Sequence, residues 1–214
     1  MSMSVPSPTD SGDLDARSAK TPRLPRAVRR NLILAAARRE FAINGFHATS
    51  TAMIAQRAEC SEPTLYKHFD SKLDLFLALL RERADEARRP WSQFVEIQKH
   101  DGNITFESMI PVLMGNAEYQ ELTQLTNLAV TLIDEPQVRD ELVNIHERTR
   151  ARTRDAVREG QRQGRIRSDL DPDYVFHMWQ AIVHAACARD AIETTNGFDA
   201  MIPHAQTFVR SLRP

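Results

Sequence analysis

The sequence predicts an all-α protein of about nine helices, with a small three-helix head ahead of a larger helical body. Three observations lead there. Glycine is scarce, at 7 of 214 residues, and no stretch sustains the alternation of a strand. Apolar residues recur instead at three- and four-residue spacing between Pro and Gly punctuation. Two of the segments so marked are very short and lie three residues apart, the pattern of a helix pair joined by a tight turn.

Residues 1–25 are rich in Ser, Pro, Thr and Asp with little to bury, and are expected to form a disordered tail. The first helix, about Arg26 to Asn44, aligns Ile33, Ala36, Ala37 and Phe41, and Gly45 suits a left-handed cap. A short helix from Thr51 to Ala58 buries Ile54, Ala55 and Ala58. The turn Glu59-Cys60-Ser61 follows, then the polar stretch Cys60–Lys72, CSEPTLYKHFDSK. Ser71 and Asp74 form a capping box that starts a helix carrying Leu73, Phe76, Leu77 and Leu80. The head spans 26–72 and continues into a connecting helix over 72–89. The body spans 90–214, with helices near 91–99, 105–116, 118–134, 137–163, 172–195 and 199–212.

Charge is uneven along the chain. Residues 16–72 hold 11 Lys and Arg against 4 Asp and Glu, whereas residues 73–214 hold 17 against 22. A basic head on an acidic body points to a polyanion partner for the head. No apolar run nears the roughly 18 residues a membrane span needs, and the N-terminus lacks a secretory apolar centre. Two cysteines, Cys60 and Cys187, make no disulfide framework. A cytoplasmic protein is expected. An enzyme is not: Gly-rich phosphate loops, Gly-x-Ser-x-Gly and His-Glu-x-x-His are all missing from the sequence, and neither cofactor nor metal is anticipated.

The polar stretch makes sense as the second helix of a helix-turn-helix, which enters the major groove of DNA. Ser61 can cap it, and Pro63 belongs in a first turn where a missing N–H costs nothing. Leu65 and Phe69 point back to the core, while Thr64, Tyr66, Lys67 and His68 face outward. Lys72 is placed to meet a phosphate.

The span from Arg26 to Leu80 resembles the DNA-binding domain of TetR-family transcriptional regulators. The residues that carry the resemblance are Ala36, Phe41, Gly45, Phe46, Thr49, Thr51, Ile54, Ala55, Ala58, Ser61, Pro63–Tyr66, His68, Phe69 and Lys72. The resemblance implies backbone contacts from Thr51 and Tyr66 and a phosphate contact from Lys72. It sets Glu62, Pro63, Thr64, Lys67 and His68 on the readout surface, Lys67 being best suited to guanine acceptors. Two departures stand out. Glu59 occupies a position where the family usually has Gly for a left-handed turn, at a cost of about 1 kcal/mol. Glu62 sets a carboxylate beside the DNA backbone, to repel phosphate or to accept from a cytosine amino group.

The resemblance also implies a homodimer on a near-palindromic operator, most often a repressor released by a small molecule. The helix over 172–195 is apolar on almost every side for two turns, so more than its own domain must cover it. With the last helix it would form a four-helix interface through Tyr174, Met178, Ala181, Ile182, Ala185, Met201, Phe208 and Leu212. Pro203 is tolerated only in a first turn. Candidate lining for an apolar or amphipathic effector is Trp91, Phe94, Phe106, Met109, Met114, Leu125, Asn127 and Trp179. Weaker alternatives are metal sensing through His177, His184 and Cys187, a redox role for Cys187, and a helical adaptor that binds protein instead of DNA.

Overall fold

The computed structural model describes residues 24–86, 89, 106–192 and 196–214. Within them lie nine helices and no strand. The tail, the helix expected over 91–99, Trp91, Phe94 and the side chains of Phe106 and Met109 fall outside the described residues.

The head comprises α1 (Arg26–Ala48), α2 (Thr51–Arg57), α3 (Glu62–Tyr66) and α4 (Lys72–Glu86). The predicted stripe of α1 is its buried face: Ile33, Leu34, Ala36, Ala37 and Phe41 all point inward. Gly45 does take a positive φ, +71°, but with ψ of −179° it kinks the helix, which resumes through Ala48. The kink turns Phe46 back so that it stacks on Phe41, with centroids 5.7 Å apart, and both rings meet Phe76 edge-on at 5.4 Å. Such pairs contribute about 0.5–1.5 kcal/mol beyond their buried area.

The body comprises α5 (Phe106–Met114), α6 (Ala117–Val130), α7 (Pro136–Arg162), α8 (Pro172–Ile192) and α9 (Gly197–Ser211). Two cores form. One fills the head and runs on through Leu125, Ala129, Leu132, Val138 and Ile145, so α6 and α7 are packed against the DNA-reading end. The other lies among α5, α8 and α9 around Ile110, Met114, Val183, Phe198 and Val209. Arg81–Glu141 (2.7 Å) and Arg38–Glu121 (2.9 Å) add ion pairs between head and body.

The last two helices pack antiparallel because their junction is built for close approach. Asn196 caps α9, its Oδ1 accepting from Phe198 and Asp199 N–H at 3.0 and 3.3 Å. A Cβ on Gly197 would fall 2.2 Å from the Ala186 carbonyl oxygen, so only glycine admits α8 there. At the other end Asp173 accepts from Arg150 and Arg154 of α7, and those hydrogen bonds hold its carboxyl well below the usual carboxylate range.

Several details depart from the sequence reading. Pro203 sits seventh in α9, past the first turn, on an exposed face. The α8 helix is apolar in composition yet not covered all round, since Val175, Phe176, Val183, Ala186 and Cys187 are buried while Tyr174, His177, Ala181, His184 and Ala185 are exposed. Ser61 stands at the cap position of α3, but its hydroxyl pairs with that of Thr64 at 2.9 Å instead of capping the backbone. Ser71 does accept from Asp74 N–H at 3.0 Å, whereas the Asp74 carboxylate reaches back one residue further, to Asp70 N–H at 3.1 Å.

Candidate nucleic-acid interface

The interface is built on a short loop and two short helices, so its rigidity must come from side chains. Thr49, buried just before α2, donates its hydroxyl proton to the Gly45 carbonyl at 2.7 Å and shares it with the Glu40 carbonyl at 3.1 Å. Ser50 caps α2, accepting from Met53 N–H at 3.2 Å. Glu40 is buried on α1, and its carboxylate receives the Arg57 guanidinium from the end of α2 and the Asn44 amide at 2.9 Å. A buried carboxylate is tolerated only when paired in this way. Arg29 closes the far end, donating to the carbonyls of Ala58 and Glu59 at 3.0 and 3.2 Å.

The turn between α2 and α3 is the left-handed one, with Glu59 at φ +50°. A glutamate therefore holds a conformation that costs an L-residue about 1 kcal/mol. The strain sets α3 across α2, where Leu65 and Phe69 are buried as expected.

Lys72 differs from its expected role. Its ammonium donates to the carbonyls of Phe46 and Thr49, each at 2.8 Å, and sits 4.4 Å from the Phe46 ring centroid. Burial lowers its pKa. Of its three N–H bonds two are thus committed to the loop entering α2, and one is left for a phosphate. The lysine is first a clamp on the head.

On the outer surface Pro63, Tyr66 and Lys67 are exposed, and Thr51, Glu62 and Thr64 are half-buried. Thr51 begins α2 and Glu62 begins α3, and their side chains meet: the Thr51 hydroxyl donates to Glu62 Oε1 at 2.6 Å. Tyr66, at the end of α3, brings its phenolic oxygen to 3.2 Å from Thr51 Oγ1. Residues 11 and 15 positions apart thus form one polar chain, which helical periodicity could not reveal.

His68 is not on that surface. It follows α3 in the turn, half-buried, and lines a hollow of about 350 Å³ with Arg30, Phe69, Asp74, Ala78, Arg81 and Glu82. Its Nδ1 is buried without a hydrogen-bond partner among the described residues. Burial, then the nearby Arg26, Arg30 and Arg29, lower its pKa. The sequence could not separate the two faces of a residue one step past the last helical turn.

Four of the effector candidates, Met114, Leu125, Asn127 and Trp179, have described side chains. Met114 is fully buried in the α5–α8–α9 core, whereas Leu125 belongs to the core shared with the head. Asn127 donates to the Cys187 sulfur at 3.0 Å, and the Trp179 indole donates to the Tyr119 hydroxyl at 2.9 Å. Burial pushes the Tyr119 phenol up to about 12, and Arg152 is close enough to counter that in part. Tyr119 and Arg152 were not anticipated, since both lie in ordinary amphipathic stretches. Burial raises the Cys187 thiol, the reverse of what a redox switch needs. Among the described residues no group of three His, Cys, Asp or Glu is arranged to hold a metal. On the face expected to pair with a second copy, Tyr174, Ala181 and Ala185 are exposed, and Met178, Ile182, Met201 and Phe208 are half-buried. Leu212 is a correction: it is buried in its own chain's core, packed where a partner cannot reach it. Among the described residues no helix is long and apolar enough to cross a membrane.

Known proteins share these features from end to end. Residues 33–79 match the family model described as bacterial regulatory proteins, tetR family, and residues 125–201 match the tetracyclin repressor-like C-terminal domain. The chain is 25% identical over 193 residues to the transcriptional repressor AcnR of Corynebacterium diphtheriae, covering 88% of this chain and 95% of that one. It is 49% identical over 63 residues to the transcriptional activator FasR of Mycolicibacterium smegmatis, a match that spans only 29% of either protein. A transcriptional regulator from Saccharomonospora viridis, solved in complex with choline, superposes with a TM-score of 0.70 at 22% identity, over 86% of this chain and 96% of that one. With both the head and most of the body matched by models of one family, and the helix-turn-helix formed by the residues that define it, the chain belongs to the TetR family of helix-turn-helix transcriptional regulators.

Proposed function

We propose that the protein acts as a cytoplasmic homodimer that represses transcription from a near-palindromic operator and is released by a small apolar or amphipathic ligand bound in the body. The observation that carries this reading is the surface of α3. Pro63, Tyr66 and Lys67 are exposed there, above a turn held from behind by Arg29, Glu40, Arg57 and Lys72. A rigid helix projecting from a basic head is what major-groove reading requires. Thr51 and Tyr66 serve the DNA backbone, Thr64 and Lys67 serve base edges, and Pro63 shapes the approach. The domain limits 26–72 and 90–214 serve the same division of labour, although the first core runs past the head into α6 and α7.

Dimerisation is supported by the exposed Tyr174, Ala181 and Ala185 on α8, flanked by half-buried Met178, Ile182, Met201 and Phe208. Small residues at 181 and 185, one turn apart, let a second helix approach closely. The effector reading is supported by the half-buried polar point at Tyr119 and Trp179 beside an apolar core, a combination suited to an amphipathic molecule. The choline captured by the Saccharomonospora viridis neighbour is an example of a small organic molecule in a protein of this fold. Switching requires a ligand to favour the DNA-incompetent arrangement by about 1–3 kcal/mol.

The test is fluorescence anisotropy of the protein on DNA upstream of its own gene and on a shuffled copy, across a salt series. Preference for the native fragment with steep loss at high salt is the expected result. Equal binding to both would refute sequence-specific action at that fragment. Ala185→Glu should yield monomers by sedimentation and lose operator affinity together; a variant that stays dimeric would refute the α8 interface.

A further inference from the structure

The chain Tyr66–Thr51–Glu62 has a direction, and the direction matters for DNA. A hydroxyl owns one proton, and an ionised carboxylate can only accept. At 2.6 Å from Glu62 Oε1, Thr51 must therefore be the donor, and its single proton is committed. The 3.2 Å contact with Tyr66 can then be filled only by the Tyr66 proton. Both hydroxyls best placed to bind backbone phosphate have their protons turned inward, toward one carboxylate. A phosphate, which offers acceptors alone, meets oxygen lone pairs and a nearby negative charge.

We infer that Glu62 is a specificity-determining residue: it withholds Thr51 and Tyr66 from phosphate until its own carboxylate finds a donor on a base edge. In the major groove that donor is the exocyclic amino group of cytosine. When Glu62 accepts from cytosine, the second donor draws on the same carboxylate charge and Thr51 is held less tightly, so the two hydroxyl protons are able to turn outward toward phosphate. Base reading and backbone binding are thereby coupled in one polar chain, and DNA lacking the cytosine is held weakly. Thr51 and Tyr66 would touch the DNA backbone, Glu62 a base. The inference rests on the DNA-binding reading of α3.

The experiment measures affinity for a random-sequence 30-base-pair duplex by anisotropy at fixed salt. It uses the full-length parent, Glu62→Gln, Glu62→Ala, Glu59→Gln and the double variant Glu62→Ala with Thr51→Val. Thermal melts establish that each is folded. Removing Glu62 should tighten non-specific binding about tenfold, whereas removing the exposed charge of Glu59 should change it about twofold, as one phosphate-proximal charge does. The added Thr51→Val change should abolish most of the gain. Equal gains from Glu62 and Glu59 variants, or a gain that survives Thr51→Val, would overturn the inference and leave DNA binding intact. A parent with no salt-dependent binding to any duplex would instead overturn the DNA-binding reading, and this inference with it.

Discussion

The head and the last two helices of the body reach stability by opposite routes. In the head, four helices of which two have 7 and 5 residues are pinned by polar side chains: Glu40 to Arg57, Thr49 to Gly45, Lys72 to Phe46 and Thr49. In the body, α8 and α9 run for 21 and 15 residues and are held mainly by apolar contact, with a glycine close approach and carboxylate clamps at Asp173 and Glu107. The comparison teaches that short elements cannot bury enough apolar surface to fix their own orientation. Directional bonds do that for the head, and directional bonds tolerate substitution poorly. Apolar packing is less directional and tolerates volume-conserving substitution better.

That contrast can be broken most sharply at Arg57. Arg57→Ala strands the Glu40 carboxylate in the core and should destabilise the protein by about 3 kcal/mol, read by chemical denaturation. Adding Glu40→Gln should recover part of the loss, whereas no recovery would show that the pair is not what anchors α2. Next comes Lys72→Ala, which removes two charge-assisted hydrogen bonds and should cost about 2 kcal/mol, together with DNA affinity. A variant that lost only DNA affinity would return Lys72 to a pure phosphate contact. Glu59→Gly relieves a left-handed residue and should raise stability by about 1 kcal/mol; no gain would show that the turn is stabilised by the glutamate side chain.

The smallest effect concerns pH. The pKa of His68 is lowered in the folded state from an ordinary 6.5. The unfolded chain therefore takes up its proton first as pH falls. The stability linked to His68 is complete above about pH 6.5 and is lost as pH drops from there toward the folded value. His68→Asn should flatten the part of the stability profile that lies just below about pH 6.5. An unchanged profile would assign the slope to another group.

Much of the head was legible because its signals are local. The Ser-x-Pro entry to α3, the Ser71 cap and the buried Leu65 and Phe69 all act within a few residues of themselves. Leu212 and Leu125 are buried in cores of their own chain, which the sequence could not specify, since an apolar residue on a helix does not declare which neighbour will cover it. His68 failed at a helix end, where a change of direction after Tyr66 turns the ring into the hollow beside Glu82. Lys72 was expected to meet a phosphate, and carbonyls 23 and 26 residues earlier claim two of its three protons.

By itself the sequence determined the helical class, the order of most elements, the head with its helix-turn-helix, and the family that the head resembles. These follow from periodicity, caps and turn residues, whose energies are short-range. Tertiary structure alone decided which polar groups are committed and which are free: that Glu62 holds Thr51, that Lys72 clamps a loop, and that Tyr119 meets Trp179. Those choices depend on donors and acceptors far apart in the chain coming within about 3 Å, a condition that only the packing of the helices can meet.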